Sequence, residues 1–328
     1  MKEIHIKENE AGQRLDKYLH KYMKEATNSF FYKMLRKKNI TLNGKKAEGS
    51  EKLNAGDVVE LYLADETIDK FRGIVTLKEK DEDAKRAYER FGDLEIIYEN
   101  KHVLVVNKPS GILTQKAEAI DLSLNEWLIG YLLAKKEITD EDLQTFRPSV
   151  LNRLDRNTSG IVICGKTLSG SQKMSELIKN RGIRKFYRLI VKGNLKEAVS
   201  LEGYLIKDES TNKVRIVKEA EDASYISTKY RPIKNYREMA LAEVELITGK
   251  THQIRLHLSD AGHPILGDYK YGDKNFNDRY KKKYHIKNQL LHAYRIEFPV
   301  IDGEFADMSG LILTAELPEI FNRLDKEE

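Results

Sequence analysis

The chain has 328 residues, 40% hydrophobic and 33% charged, which leaves room for one large domain plus a small one beneath a wet surface. Its net charge of +5 is basic but too small to argue for nucleic acid by itself, so the placement of the charges has to carry that argument. The single cysteine, Cys164, excludes an intrachain disulfide and fits a reducing compartment. The start at Met1 to His5 lacks the apolar stretch of a signal peptide, and no run approaches the roughly 20 apolar residues of a bilayer span. A cytoplasmic protein without a membrane partner is expected.

After a short strand-like start, Arg14 to Met23 sets Leu15, Tyr18, Leu19 and Tyr22 at helical spacing. Asn28 or Ser29 is the expected cap of a second helix, Phe30 to Lys38, with Phe31, Met34 and Leu35 inward and Lys33, Arg36, Lys37 and Lys38 outward. Ile40 to Leu42 then runs into Asn43-Gly44, a hairpin-turn signal, and Ala55-Gly56-Asp57 turns into a strand from Val58 to Leu63. Basic residues on one helix beside a hairpin, within a small α+β module, point to RNA contact. A solvated lysine face is the bland alternative.

Residues 64 to 92 mix acids and lysines with few large apolar residues, which reads as a charged linker carrying one weak helix near Ala84, Ala87, Tyr88 and Phe91. Division into domains 1–63 and 93–328 follows. Beyond Leu94 strands dominate: Leu94 to Tyr98, Val103 to Val106, Ile161 to Cys164, Tyr187 to Val191, Leu201 to Ile206, Ser224 to Tyr230 and Ala240 to Ile247. Helices are fewer: one capped by Ser123, then Ser171 to Lys179 and His252 to Asp260. Without regular alternation, the expected class is α+β with a mixed, mostly antiparallel central sheet.

The stretch Asn152-Arg153-Leu154-Asp155-Arg156-Asn157-Thr158-Ser159-Gly160 places an acid between two arginines in a loop of small polar residues. Guanidinium neighbours favour the charged form of a carboxylate, which can then serve as nucleophile or base while arginines hold phosphate. Alone, such a stretch is usually a surface ion pair. Two further segments change the weighting: the basic and aromatic strand Lys185 to Gly193, and Thr248 to Leu258 followed by the turn-rich Gly262 to Gly272.

Together, these motifs resemble the RluA-type pseudouridine synthases over about Leu94 to Phe298, with the signature Arg153-Leu154-Asp155 and Thr158-Ser159-Gly160. Residues 12 to 63 resemble the S-four-like (αL) RNA-binding domain that often precedes such synthases. The resemblance implies Asp155 as catalytic carboxylate and Arg153 as the group entering the RNA stack. It places Tyr187 against the uracil ring and pairs Arg255 with Asp155. It also implies RNA as partner, large-subunit ribosomal RNA above all, a monomer, and no cofactor. Isomerising uridine is redox-neutral and needs no group donor, while the base has to be flipped out of its stack. The family usually carries histidine before the Arg-Leu-Asp triplet, where this chain has Asn152, which leaves no titratable ring there.

Other readings compete. Gly160 to Thr167 formally matches a phosphate-binding P-loop, but Ile161 to Cys164 reads as a buried strand rather than a turning loop. His252 and His257 stand five apart, off a common helical face, which argues against metal binding. A non-catalytic RNA-binding or ribosome-assembly protein would need no set like Asp155, Tyr187 and Arg255. Lys270 to Lys283 reads equally as a backbone-binding patch or a solvated loop.

Overall fold

The computed structural model describes residues 1–72, 74–208, 213–217 and 223–327. Strand β1 (Lys2–His5) leads to helix α1 (Leu15–Tyr22), whose helically spaced Leu15, Tyr18, Leu19 and Tyr22 are all buried. Helix α2 (Asn28–Arg36) starts two residues earlier than the sequence suggests, because Thr27 is the cap, its hydroxyl accepting from the Phe30 amide at 3.3 Å. It stops at Arg36, since Lys38 takes the left-handed conformation at φ 58°. Strands β2 (Ile40–Leu42) and β3 (Lys45–Lys46) close over Asn43 and Gly44, both at positive φ as a tight hairpin demands. Strand β4 (Val58–Leu61) completes an antiparallel sheet of order β1-β4-β2-β3, with a core that includes Phe31, Leu35, Ile40 and Val59.

Helices α3 (Asp65–Arg72) and α4 (Ile74–Phe91) occupy the stretch whose composition suggests a linker. The charges are real, but they belong to helices, and among the described residues α3 buries Ile68. Ala84 and Ala87 are fully buried. Gly130 approaches α4 so closely that an added β-carbon would meet the Ala84 carbonyl oxygen at 2.3 Å. Trp127 stacks on Tyr131 with centroids 5.1 Å apart and donates to the Gly92 carbonyl at 2.8 Å.

The rest builds one large sheet. Its elements in chain order are β5 (Ile96–Glu99), β6 (Val103–Lys108), α5 (Leu124–Ala134), β7 (Ser149–Val150), β8 (Ser159–Gly165), α6 (Leu168–Lys179), β9 (Arg184–Lys192) and β10 (Val199–Asp208). They continue with β11 (Lys213–Val217), β12 (Ser224–Asn235), β13 (Met239–Leu246), α7 (Gln253–Asp260), α8 (Lys274–Tyr284), β14 (Leu291–Glu297), β15 (Ile312–Thr314) and α9 (Glu319–Glu327). The described strands run in the order β11-β10-β12-β13-β9-β14-β8-β6-β5, with β15 on β14 and β7 on β8. Only β14 and β8 pair in parallel among them, so the sheet is mixed and mostly antiparallel, as expected.

Three local outcomes bear on function. Residues 159–165 form a fully buried strand, and Lys166 pairs with Glu99 at 2.8 Å and Glu137 at 2.5 Å, so the P-loop pattern lies in the core. Residues 274–284, which carry most of the expected patch or loop, instead form α8, capped by Asp273 and burying Phe276, Tyr280 and Tyr284 while Lys281 to Lys283 stay exposed. Finally, Gly160 sits at φ 113° where the candidate loop enters β8, and β14 passes so near that a β-carbon would lie 2.3 Å from the Ala293 carbonyl oxygen.

Both the conformation and the space at Gly160 exclude a side chain. Gly160→Ala should lower unfolding stability by about 3 kcal/mol or more, combining backbone strain with overpacking. Urea denaturation checks this, and a loss below about 1 kcal/mol would show that β14 can move aside.

Candidate active site

Asp155 stands in the loop between β7 and β8, and that loop is fastened from several directions. The Asn152 amide accepts from Ile163 N at 2.7 Å and donates to Ile161 O at 3.2 Å, tying the loop along β8. An amide does both jobs without a titratable ring. Thr114 accepts from Leu154 N at 3.2 Å and donates to Leu154 O at 2.8 Å. Lys108, wholly buried, donates to the carbonyls of Pro109, Ile112 and Arg156 at 3.1, 2.8 and 3.3 Å. Burial draws its pKa down to about 7, partly opposed by the charge of Asp155.

The counter-charge comes from α7. Arg255 donates through Nη1 to Asp155 Oδ2 at 2.8 Å. Its other edge is held by a second acid: Nε meets Asp268 Oδ2 at 2.7 Å and Nη2 meets Asp268 Oδ1 at 2.9 Å. Asp268 is 1% exposed, and its Oδ1 also accepts from the amides of Lys270 and Tyr271 at 2.9 and 3.1 Å. Burial works against both charges, yet the pair outweighs it, raising the Arg255 pKa and lowering that of Asp268. Tyr271 lies beneath the guanidinium at 5.0 Å. The ring of His252, at left-handed φ 56°, stands 3.7 Å from Asp155 Oδ2 and 2.9 Å from the Tyr271 hydroxyl. Burial lowers its pKa, with Asp155 opposing.

Asp155, Arg255 and Tyr187 line one cavity of about 620 Å³, with Arg153 exposed among its lining residues. Tyr187, 6% exposed on β9 between Val244 of β13 and Ala293 of β14, has its pKa raised by burial and then by Asp155. Neither arginine flanking Asp155 in sequence pairs with it: Arg156 faces Asp121 at 3.8 Å. Lys33, Arg36, Lys37 and Lys38 are absent from this cavity and stand exposed on or just after α2. His257 and His292 are buried in the packing, where His257 meets Thr228 and His292 meets Ser159, each at 2.8 Å. Among the described residues no group of three or more His, Cys, Asp or Glu could hold a metal. Cys164 is buried and its thiol pKa pushed up. Asp268 escaped sequence reasoning: thirteen residues from Arg255 in a turn-rich loop, it carries no local sign of its partner.

The chain matches the family model for RNA pseudouridylate synthase over residues 102–260 and the S4 domain over residues 13–59. It is 30% identical over 305 residues to the ribosomal large subunit pseudouridine synthase C of Vibrio vulnificus (strain CMCP6), covering 90% of this chain and 87% of that one. The chain belongs to the RNA pseudouridylate synthase family. The enzyme of the same name from Escherichia coli (strain K12) is also 30% identical, over 309 residues, with 91% and 88% of the two chains covered. A solved structure of human RNA pseudouridylate synthase domain containing 4 shares the synthase fold, with a TM-score of 0.55 and 22% identity over 75% of this chain and 95% of that one. The synthase is thus an isomerase: the bond from ribose C1′ to uracil N1 breaks, a bond from C1′ to C5 forms, C5 loses its proton and N1 gains one.

In this synthase the angle of Arg255 depends on Asp268. Asp268→Asn should lower kcat by about 10²-fold, the scale of an ångström's misplacement at a reacting group. KM should change little. Single-turnover kinetics of the variant check this, and a rise in KM with unchanged kcat would separate Asp268 from the chemistry.

Proposed function

We propose that this synthase converts uridines of large-subunit ribosomal RNA to pseudouridine with Asp155 as the catalytic carboxylate. The observation that carries the reading is a partly exposed carboxylate at a cavity wall, with Oδ2 paired to a buried arginine and no hydrogen bond on Oδ1 among the described residues. Such an oxygen can attack sugar or ring or assist departure of the base, while Arg255 holds its geometry. Tyr187 lies against the uracil ring and takes the C5 proton as its own hydroxyl proton is handed on, so that the phenol stays neutral and N1 is protonated in the end. Arg153 fills the gap left in the RNA stack, offsetting part of the few kcal/mol that flipping costs. The names of the relatives support the ribosomal substrate.

Residues 1–63 form the RNA-docking domain, 64–92 the connecting segment and 93–328 the catalytic domain of a monomer. The S4 match over residues 13–59 supports this division, with Ile68 and Phe71 of the connecting segment packing onto the core of the first domain. Lys33, Arg36, Lys37 and Lys38, all exposed, supply the phosphate contacts.

Asp155→Asn should abolish pseudouridine formation on ribosomal RNA while leaving the fold and RNA affinity nearly intact, because the exchange is close to isosteric. Turnover by the purified variant above background would remove Asp155 from the chemistry.

Exchanging Lys33, Arg36, Lys37 and Lys38 together for glutamine should reduce the slope of log affinity against log salt by about 0.7–0.9 for each phosphate left without its cation. Substitution is cleaner than deletion, because Glu8 and Asn9 bond Lys101 and the Leu168 amide outside the module. An unchanged slope in binding titrations would make α2 a merely solvated face.

A further inference from the structure

Most cations along the cavity are committed or lie at its exposed rim. Arg255 is taken by Asp155 and Asp268, and buried Lys108 by three carbonyls. Arg153, Arg156 and Lys250 are exposed. Lys185 is different. It precedes Tyr187 by two residues on β9, so both side chains leave the same face of the strand, and both line the cavity. Its side chain is only partly exposed, yet no hydrogen bond or ion pair holds it among the described residues. Glu245 and Glu297 stand in register with Phe186 and Arg184, on the opposite face of the sheet, where Arg184 engages them at 2.9 and 2.8 Å. Lys185 Nζ lies beside Gly249, 3.9 Å from where a β-carbon would stand. Burial, then the like charge of Arg181, lowers its pKa. An ammonium withdrawn from water beside another cation and without an acid is costly unless something anionic arrives.

The position says what arrives. Two residues of strand span about 6.6 Å, comparable to the distance between a base and its own phosphate. Tyr187 is the deeper residue and Lys185 the more open one. We propose that Lys185 binds a phosphate flanking the flipped uridine when the base lies against Tyr187. This rests on the reading that the target uridine enters this cavity.

The test uses the full chain and a large-subunit ribosomal RNA fragment that it modifies. Methylphosphonate, which removes one charge, is placed in turn at the phosphates on either side of the target uridine. With wild type, one of the two positions should weaken binding about tenfold, the scale of a charge-assisted hydrogen bond. Lys185→Met should weaken binding of unmodified RNA similarly and lose nothing further at that position. Its single-turnover rate at saturating RNA should stay within about threefold of wild type, on the same scale, and Lys185→Arg should recover most of the affinity.

Additive losses from variant and methylphosphonate would overturn the proposal. So would an unchanged affinity with a collapsed single-turnover rate, which would place Lys185 at the base instead. The wild-type scan stands even if Lys185→Met misfolds: no penalty at either flanking position means no such contact. Failure of the underlying reading looks different, since Asp155→Asn would then still make pseudouridine.

Discussion

The site depends on one chain of charges, Asp155–Arg255–Asp268, in which Arg255 stands 100 residues from Asp155 and 13 from Asp268. A lone buried guanidinium would be costly, and a lone arginine–carboxylate pair would leave the guanidinium able to turn. Asp268 removes that freedom. It occupies Nε and Nη2 and is itself fixed by two backbone amides, so the remaining Nη1 can point only where Asp155 stands. The cost of burying the pair is offset by bidentate geometry and by Tyr271 under the guanidinium plane. What this interaction supplies is orientation rather than net stability, the more useful quantity where a carboxylate has to meet one atom of a sugar or base.

Orientation is useful only if the loop carrying Asp155 holds still. The main chain from Leu154 to Asn157 is held by buried or nearby donors: Thr114, Lys108, Ser110 and the Gly111 amide all engage its carbonyls. Lys108 serves as a cross-brace, its three donors matched to three carbonyls in the interior, where an alcohol could satisfy only one. At the end of the loop Gly160 turns the chain into β8 while touching β14, which also pairs with β9 and so lies beside Tyr187. The Asp155 loop, the strand of Tyr187 and β8 therefore meet at one crossing of the sheet.

Charge is divided between two places with different physics. Around the cavity, exposed Arg153, Arg156 and Lys250 stand at the rim, while Arg255 is buried and paired on both edges, which suits exact placement of a charged group. On and just after α2 the cations are exposed and, among the described residues, without an ion pair, which suits screened, sequence-independent attraction of an anionic partner. An enzyme that extracts one base from structured RNA needs both: broad attraction to hold the molecule and a small fixed constellation to meet the base.

Much of this was legible in the sequence, for physical reasons that differ from place to place. Leu15, Tyr18, Leu19 and Tyr22 announced α1 because a helix repeats its buried face every three to four residues, and Asn43-Gly44 announced its hairpin because few residues tolerate positive φ. Arg153-Leu154-Asp155 and Tyr187 carried the resemblance because their motifs are local. The stretch 64–92 misled because composition counts charges without saying which side of a helix they occupy, and Ala84, Ala87 and Gly130 are small residues whose closeness shows only in space. α8 was missed for a related reason, its lysines masking Phe276, Tyr280 and Tyr284 at helical spacing. The sequence by itself determined the class of sheet, α1 and the Asn43-Gly44 hairpin, since these follow from periodicity and short motifs. Tertiary structure alone decided that Asp268 grips Arg255, that three carbonyls surround Lys108, and that Lys185 faces the cavity without a partner among the described residues. Each of those depends on which segments the sheet brings together, and no local pattern encodes that.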